Sequence, residues 1–449
     1  MQRKAQQTVV VIGGGISGLS AAYELQKAGF LVDVFDKETA GGRMRTERPG
    51  NLPFDSGADF LAENYTTLRR FASELGIEWI PTKAHGTHRI MRNGKAYYLS
   101  LEKPSDILRF DIIPFWERVR LLFFAARLRL THKNLPSFFD LQELSPALDA
   151  ATAGDYMTQK VGSETKQYIA DAFTALMQFH TSDEISSGAM MSLLNMMTSP
   201  KSTFALRYTV GGIGAIPEAL GKKVELHENS SVTKLVRQND GVVATVRDVE
   251  KKYDYAVVAA PAYAAKELVG DLNDSAKQFL NSVQYAATMV AAFRVPSTLF
   301  TDRSHCTYVP LAENKVVSGY TNESRKGFDA EQNGEAVLAV YLHEAAAREL
   351  MDKSDAEIFE TVSAELQKVC PEVHGKKLQP YALRRWPNAM PKFAHKHVSA
   401  VVQFLRDEQG KGAVYWAGDY LNAPWTEGSA RGGVKVAKLI IEDSKKNQK

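Results

Sequence analysis

Cysteine is nearly absent from this chain: Cys306 and Cys370 are the two among 449 residues, far apart and without metal-ligand spacing. That argues against a disulfide framework or a cysteine-held metal and fits a reducing compartment. Long hydrophobic runs are missing too. Stretches such as 119–126 fall far short of the ~20 apolar residues that cross a bilayer. Residues 1–8 carry no apolar segment, so no secretory signal is expected there. Charge of one sign is not in excess: the formal net charge of +3 gives no reason to expect nucleic acid as a partner. Neither repeats nor low-complexity tracts stand out, and 443–449 reads as a disordered tail. What remains is the composition of an ordinary globular protein, 44% hydrophobic and 24% charged, at a length that calls for two or three domains.

The first fifty residues carry the strongest local pattern. Thr8–Ile12 is a continuous β-branched run, as in a buried parallel strand. It leads into Gly13-Gly14-Gly15-Ile16-Ser17-Gly18, after which Leu19, Ala22, Leu25 and Ala28 recur at helical spacing until Gly29. A second apolar run, Leu31–Phe35, closes on Asp36. Strand, glycine-rich turn, helix, strand and acidic residue are the parts of a dinucleotide-binding unit. Gly13 permits the tight turn, Gly15 lets the backbone approach a pyrophosphate, and Gly18 lets helix and strand pack closely. Free N–H groups and partial positive charge at the helix start suit phosphates. Asp36 can accept hydrogen bonds from a ribose. The pattern leaves FAD and NAD both open.

Further motifs follow. Asp36-Lys37 precedes Gly41-Gly42-Arg43-Met44-Arg45-Thr46 and then Phe54-Asp55-Ser56-Gly57-Ala58-Asp59-Phe60. Far downstream, Gly418-Asp419 follows the apolar run 414–417, and Trp425-Thr426-Glu427-Gly428-Ser429-Ala430 precedes a helix expected from about 432 to 442. Between them, 230–235 and 255–261 read as strands. In these motifs the sequence resembles the flavin amine oxidase superfamily, which includes monoamine and polyamine oxidases, protoporphyrinogen oxidases and phytoene-type desaturases. The resemblance spans most of the chain and implies FAD. It implies that Gly42 and Arg43 lie along the pyrophosphate and ribityl chain, where two glycines bring backbone close and Arg43 offers a planar fork of donors. Gly57, Ala58 and Asp59 would support the flavin. Val232 would meet the adenine, and Ala260 lies on the strand returning to the FAD domain. Gly418 and Asp419 would hold the ribityl hydroxyls, with Thr426 and Glu427 at a helix end aimed at the flavin. Trp386, in Arg385-Trp386-Pro387-Asn388-Ala389-Met390-Pro391, matches a segment of protoporphyrinogen oxidases and joins this set.

The fold expected is α/β: a discontinuous FAD-binding Rossmann-type (GR2-like) domain from 8–80, 205–262 and 380–445. An α+β substrate domain from 83–110 and 263–379 and a helical subdomain over 111–204 complete it. Strands are expected at 88–91 and 96–100 around the Asn93-Gly94 turn, then at 283–295, 306–320 and 336–342, with an amphipathic helix over 355–369. Gly211-Gly212-Ile213-Gly214 reads as a loop opening a helix, because no buried strand precedes it and Pro217 follows.

For chemistry, the resemblance implies hydride removal from a substrate without a metal. No catalytic residue is assigned. Trp425 stands where monoamine oxidases place an aromatic beside the flavin, and Phe393 is the candidate for an opposite wall. Amine oxidases carry a lysine on a central strand; the equivalent stretch here, 283–293, has none. No cysteine follows Cys370, which excludes a thioether tether at the place where monoamine oxidases carry one, and the FAD is expected to be non-covalent. The leading expectation is dehydrogenation of an apolar small molecule, protoporphyrinogen-like or terpenoid- and carotenoid-like. An amine or amino acid oxidase is the alternative, and an FAD-dependent isomerase or non-redox flavoprotein another. Met190, Met191, Met196 and Met197 are read as core before pocket. Residues 108–130 alternate aromatic and aliphatic positions with Arg109, Arg118, Arg120, Arg127 and Arg129. A core helix with a solvated basic face is the first reading, peripheral membrane contact the second. The placement expected is cytoplasmic, peripheral to the inner membrane face if that helix engages lipid. O2 and a quinone both stay open as electron acceptor.

Overall fold

In the computed structural model the described residues are 6–84, 87–100, 104–131, 135–198, 205–302, 304–327 and 331–446. The β-branched run Thr8–Ile12 is the central strand of a five-stranded parallel sheet. Its strand order is Glu225–His227, Leu31–Phe35, Thr8–Ile12, Tyr255–Val258, Val414–Trp416. Ile12 pairs with Phe35 on one side and Val258 on the other, and Val258 with Trp416. All the strand carboxyl ends therefore point to one edge, where open α/β sheets bind ligands.

Helix Ile16–Lys27 leaves the first strand through the glycine turn. Gly18 has no room for a side chain: a Cβ there would lie 1.9 Å from the Gly13 carbonyl oxygen. The long C-terminal helix, Thr426–Lys446, packs on this first helix through small residues; a Cβ on Gly433 would lie 2.0 Å from the Ser17 carbonyl oxygen. This helix starts six residues earlier than expected and extends to Lys446, so 443–446 are helical rather than a loose tail. Tyr415 donates to Asp443 there. Residues 447–449 lie outside the described residues.

The second large element is an eight-stranded mixed sheet. Its main path runs Gln379–Pro391, Tyr285–Pro296, Glu335–Leu342, Val317–Asn322, Cys306–Tyr308, Thr87–Arg92, Lys95–Ser100. Side chains alternate across it with period two. Met289, Ala291, Phe293 and Val295, with Leu338, Val340 and Leu342, pack on the apolar face of helix Asp355–Val369. The intervening Val290, Ala292, Val337, Ala339 and Tyr341 turn to the other face, toward the helical residues around 168–177. The expected strand 306–320 divides in two. Pro310, with no N–H to donate, opens a turn closed by the Glu313 N–H on its carbonyl, and Asn314 Oδ1 accepts from Val316 and Val317.

Strand Gln379–Pro391 is the edge of this large sheet, although 380–445 was expected in the FAD domain. Helices Ala262–Leu268 and Asp274–Ser282 pack against the parallel sheet, although 263–379 was expected in the substrate domain. Val232–Gln238 belongs to a three-stranded antiparallel sheet of its own. Gly211 to Gly214 form a loop that opens helix Ala215–Gly221, as read from the sequence, but a strand does precede it: Leu206–Thr209, antiparallel to Leu61–Ala62 and Trp79–Pro81, with Tyr208 and Thr209 buried.

Candidate functional site

Between the carboxyl edge of the parallel sheet and the inward face of the large sheet lies a cavity of about 470 Å³. On the parallel-sheet side its wall is largely backbone. Gly13, Gly15, Ile16 and Ser17 line it at the start of the first helix, whose N-cap, Gly15, supplies no side-chain acceptor. The helix's first N–H groups are thus left for a ligand. Nothing lies within 4 Å of where a Gly15 Cβ would point, and the Ser17 hydroxyl is buried without a partner. Asp36 lines the cavity while its carboxylate accepts the Gly14 N–H at 2.6 Å and the Glu38 N–H at 2.7 Å. Those bonds lock the turn and leave lone pairs for a ribose. Lys37, Gly42, Gly57, Ala58, Val232, Ala260 and Gly418 also line the cavity. Arg43 pairs with Asp419 at 2.8 Å and donates to the Ala389 carbonyl at 3.0 Å, so both motif residues are held on the wall together.

A second helix end opens onto the same space: Thr426 and Ser429, in the first turn of the C-terminal helix, line the cavity. Two macrodipoles thus bring partial positive charge to one cavity. With a glycine cradle, a ribose-ready carboxylate and a cation held on the wall, the residues present fit FAD.

Three expected site residues lie elsewhere. Gly18 sits behind the turn, against the Gly13 carbonyl, and supports the cradle from outside. Glu427 is fully buried and faces away, because the helix already begins at Thr426 and successive side chains rotate about 100°. Its carboxylate accepts from the Thr67 and Leu68 N–H groups at 2.9 and 3.0 Å and pairs with Arg431 at 2.8 Å. It caps helix Thr66–Glu74, whose own N-cap, Tyr65, offers no side-chain acceptor. Phe393 is buried in the core against the His397 ring. The aromatic facing Trp425 is Phe60 instead, edge-on at 5.5 Å, and both line the cavity. The four methionines at 190, 191, 196 and 197 are absent from the wall, with Met190 and Met196 in the main core; Met177 is the methionine on the wall beside Met44 and Met390.

The opposite wall is built of side chains. Phe60, Leu176, Met177, Phe179, Val290 and Tyr341 make it apolar and aromatic. On the inward strand, Thr288 stands opposite Trp386, and its hydroxyl donates to the Leu342 carbonyl at 3.0 Å. The Trp386 indole N–H donates to the Ser56 carbonyl.

Sequence reasoning missed the charged group behind this wall. Lys326, 2% exposed at its side chain, lies 2.9 Å from Asp55, 2.6 Å from Asp59 and 2.6 Å from Glu323. His305 Nε2 is 2.8 Å from Asp59 Oδ2. Asp59 and Thr321 carry this cluster onto the cavity surface. Burial pushes the Asp59 carboxyl up, but the Lys326 ammonium and His305 outweigh it and hold it well below the usual carboxylate range. Burial pushes Glu323 well above that range. For Lys326, burial acts downward and the three carboxyl groups act upward and prevail. Ser324-Arg325-Lys326 follows a strand with no spacing that marks it, so no sequence signal pointed there.

Comparison with known proteins agrees with this geometry. The flavin containing amine oxidoreductase family matches residues 16–441. A mitochondrial protoporphyrinogen oxidase from Nicotiana tabacum is 22% identical over 98% of this chain and 94% of that protein. A 15-cis-phytoene desaturase from Narcissus pseudonarcissus is 23% identical over 97% of this chain and 79% of that protein. Cyclohexylamine oxidase from Brevibacterium oxydans superposes with a TM-score of 0.77 at 18% identity, over 98% of this chain and all of that one. The chain belongs to the flavin containing amine oxidoreductase family and is an FAD-dependent oxidoreductase.

Proposed function

We propose that this enzyme dehydrogenates a mostly apolar small molecule, of the porphyrinogen or terpenoid kind. The observation that carries the reading is the pairing of the glycine cradle with an aromatic and aliphatic wall across one cavity. FAD, when bound, supplies a two-electron, hydride-accepting group. The chain's own work is then orientation and exclusion of water. Gly13, Gly15, Ser17, Asp36, Arg43 and Thr426 hold the cofactor, while Phe60, Met177, Phe179, Val290 and Tyr341 present the substrate's apolar body. Thr288 lies at the strand position facing the cavity and brings no charge, which fits a substrate of low polarity. Similarity to protoporphyrinogen oxidase and phytoene desaturase over nearly the whole chain supports the same direction.

Anaerobic reduction tests this reading. Under argon, protoporphyrinogen or a carotenoid precursor should bleach the flavin of the purified protein. Bleaching by every amine tried and by no polycyclic or polyene would overturn it. A flavin that stays oxidised with all of them would favour an isomerase or a scaffold. One specific observation keeps an amine or amino acid as a second reading: Asp59 places a carboxylate on the cavity wall.

We also propose peripheral contact with an anionic lipid surface. Helix Phe115–Thr131 buries little, Leu128 being its buried residue. Trp116, Phe123 and Leu130 are 72%, 72% and 71% exposed, and with Arg120 and Arg127 they fall on one face. This differs from a core helix with a solvated basic face, since the solvated face is itself aromatic. Among the described residues no helix is long and apolar enough to cross a membrane.

A further inference from the structure

We propose that Asp59 is the specificity-determining residue of the cavity, a fixed hydrogen-bond acceptor for an N–H or N⁺–H group of the substrate. The inference rests on the reading of this cavity as the place of substrate dehydrogenation. An ionised carboxylate offers about four acceptor positions. Two are firmly taken on Asp59, by Lys326 Nζ on Oδ1 and by His305 Nε2 on Oδ2. Thr321 Oγ1 is 3.5 Å from Oδ1, but its single hydrogen is better used on Glu323 Oε1 at 2.9 Å. The carboxylate's remaining exposure, 14% of the side chain, is onto the cavity. Tyr341, 2% exposed and on the same wall, has its hydroxyl buried beside Asp59, close enough to share a third acceptor position of the carboxylate.

Charge points the same way. Burial raises the Glu323 carboxyl well above the usual range, while Lys326 and His305 lower that of Asp59. Asp59 is the carboxylate of the cluster that reaches the cavity surface, and a carboxylate there favours a donor or cation over a second acceptor. Because Lys326 and His305 hold the Asp59 carboxyl well below the usual range, it is a poor proton acceptor. Its part is therefore recognition, not proton removal. Lys326 and His305 are positioning residues: they fix the carboxylate so that one lone pair faces the apolar wall. A polyene has no group to offer it; a pyrrole or an amine has.

Titration of the flavin-loaded protein under argon tests this, with binding read from perturbation of the flavin spectrum. Two probe pairs differ at nitrogen: dipyrromethane against its N,N′-dimethyl derivative, and N-methylbenzylamine against propylbenzene. The N–H member of at least one pair should bind about ten- to a hundredfold tighter than its partner, the range for a hydrogen bond to a charged group. Asp59→Asn should shrink that ratio about tenfold and leave the partner's affinity unchanged. Equal binding within both pairs to the wild type overturns the inference, as does an equal loss for both members in Asp59→Asn. So does a changed ligand-free flavin spectrum in that variant with the ratio intact. If Asp59→Asn retains no flavin, the wild-type ratios alone decide. Failure of the underlying reading looks different, because no substrate class would then reduce the flavin.

Discussion

The two walls of the cavity are made of different material. The parallel-sheet wall is backbone: a glycine turn, two helix ends and one carboxylate tied into the turn. The large-sheet wall is side chains delivered from Phe60, Leu176, Thr288, Thr321 and Tyr341, with a buried ion cluster behind it. A backbone wall recognises what is constant in a dinucleotide, its phosphates and ribose. A side-chain wall can be exchanged residue by residue without disturbing the fold. The same division separates what family membership fixes, the cofactor, from what it leaves variable, the substrate.

The comparison breaks most visibly at Lys326. In Lys326→Met the cluster behind the wall loses its ammonium, which leaves Asp55 and Asp59 without that partner. Removing one member of a buried charge network typically destabilises by about 3–5 kcal/mol. Denaturant unfolding should show that loss. A variant as stable as wild type would mean water or a rearranged His305 already compensates the cluster.

The backbone wall should answer to Asp36→Ala with a smaller effect. The Gly14 and Glu38 N–H groups lose their acceptor, and the ribose loses its own. FAD affinity should fall roughly ten- to a hundredfold, measured by equilibrium dialysis of the flavin, with little change in the affinity of substrate probes. A variant that retains FAD as tightly as wild type would show that the turn is held by its glycines alone.

Acid should separate the walls next. The Asp59 carboxyl is lowered in the folded state, so its contribution to stability is full above the unfolded value and is lost progressively as pH falls from there toward the folded value. Unfolding free energy should therefore decline below about pH 4, by up to about 1.4 kcal/mol per pH unit for this one group. In Asp59→Asn that acid limb should be shallower. An unchanged slope would assign the decline to other carboxylates, such as Asp33 and Asp140, which are also lowered.

The same contrast decides what was legible in the sequence. Strands Thr8–Ile12 and Leu31–Phe35 and helix Asp355–Val369 fall where periodicity puts them, because each is specified by neighbours in the chain. The structure starts the C-terminal helix at Thr426, ahead of the expected 432, and runs it through Gly428, Gly432 and Gly433, which are weak helix formers on their own. Their use is tertiary, since Gly433 lets the helix lie against Ser17. Glu427 matched a motif by position, yet its rotation on that earlier helix turns it to Thr67 and Leu68. Asp59 was in view as a flavin support, whereas its partners Lys326 and His305 arrive from more than 240 residues away. Side chains that meet only through folding leave no spacing to read. Trp425 and Phe60 show the intermediate case: Trp425 is placed by motif, whereas the opposite aromatic expected from the sequence was Phe393, and only packing brings Phe60 there instead.

The smallest effect on the folded molecule should come from the exposed helix, and it separates solvent-facing apolar surface from the apolar cavity wall. Trp116 and Phe123 are on the surface, so Trp116→Ser with Phe123→Ser should change unfolding free energy by no more than about 0.5 kcal/mol per site. Neither residue lines the cavity, and flavin content should stay at the wild-type level. Sedimentation with vesicles of phosphatidylserine and phosphatidylcholine should nevertheless fall, since those rings are the apolar area available for burial at an interface. Arg120→Glu with Arg127→Glu should weaken the same binding by roughly 1 kcal/mol for each cation removed, and more at low salt than at high. If the aromatic pair leaves vesicle binding intact while lowering stability, the face is packing surface and the lipid contact is lost as a reading. If both pairs act on vesicles alone, the helix is a docking element whose energetics are independent of the cavity.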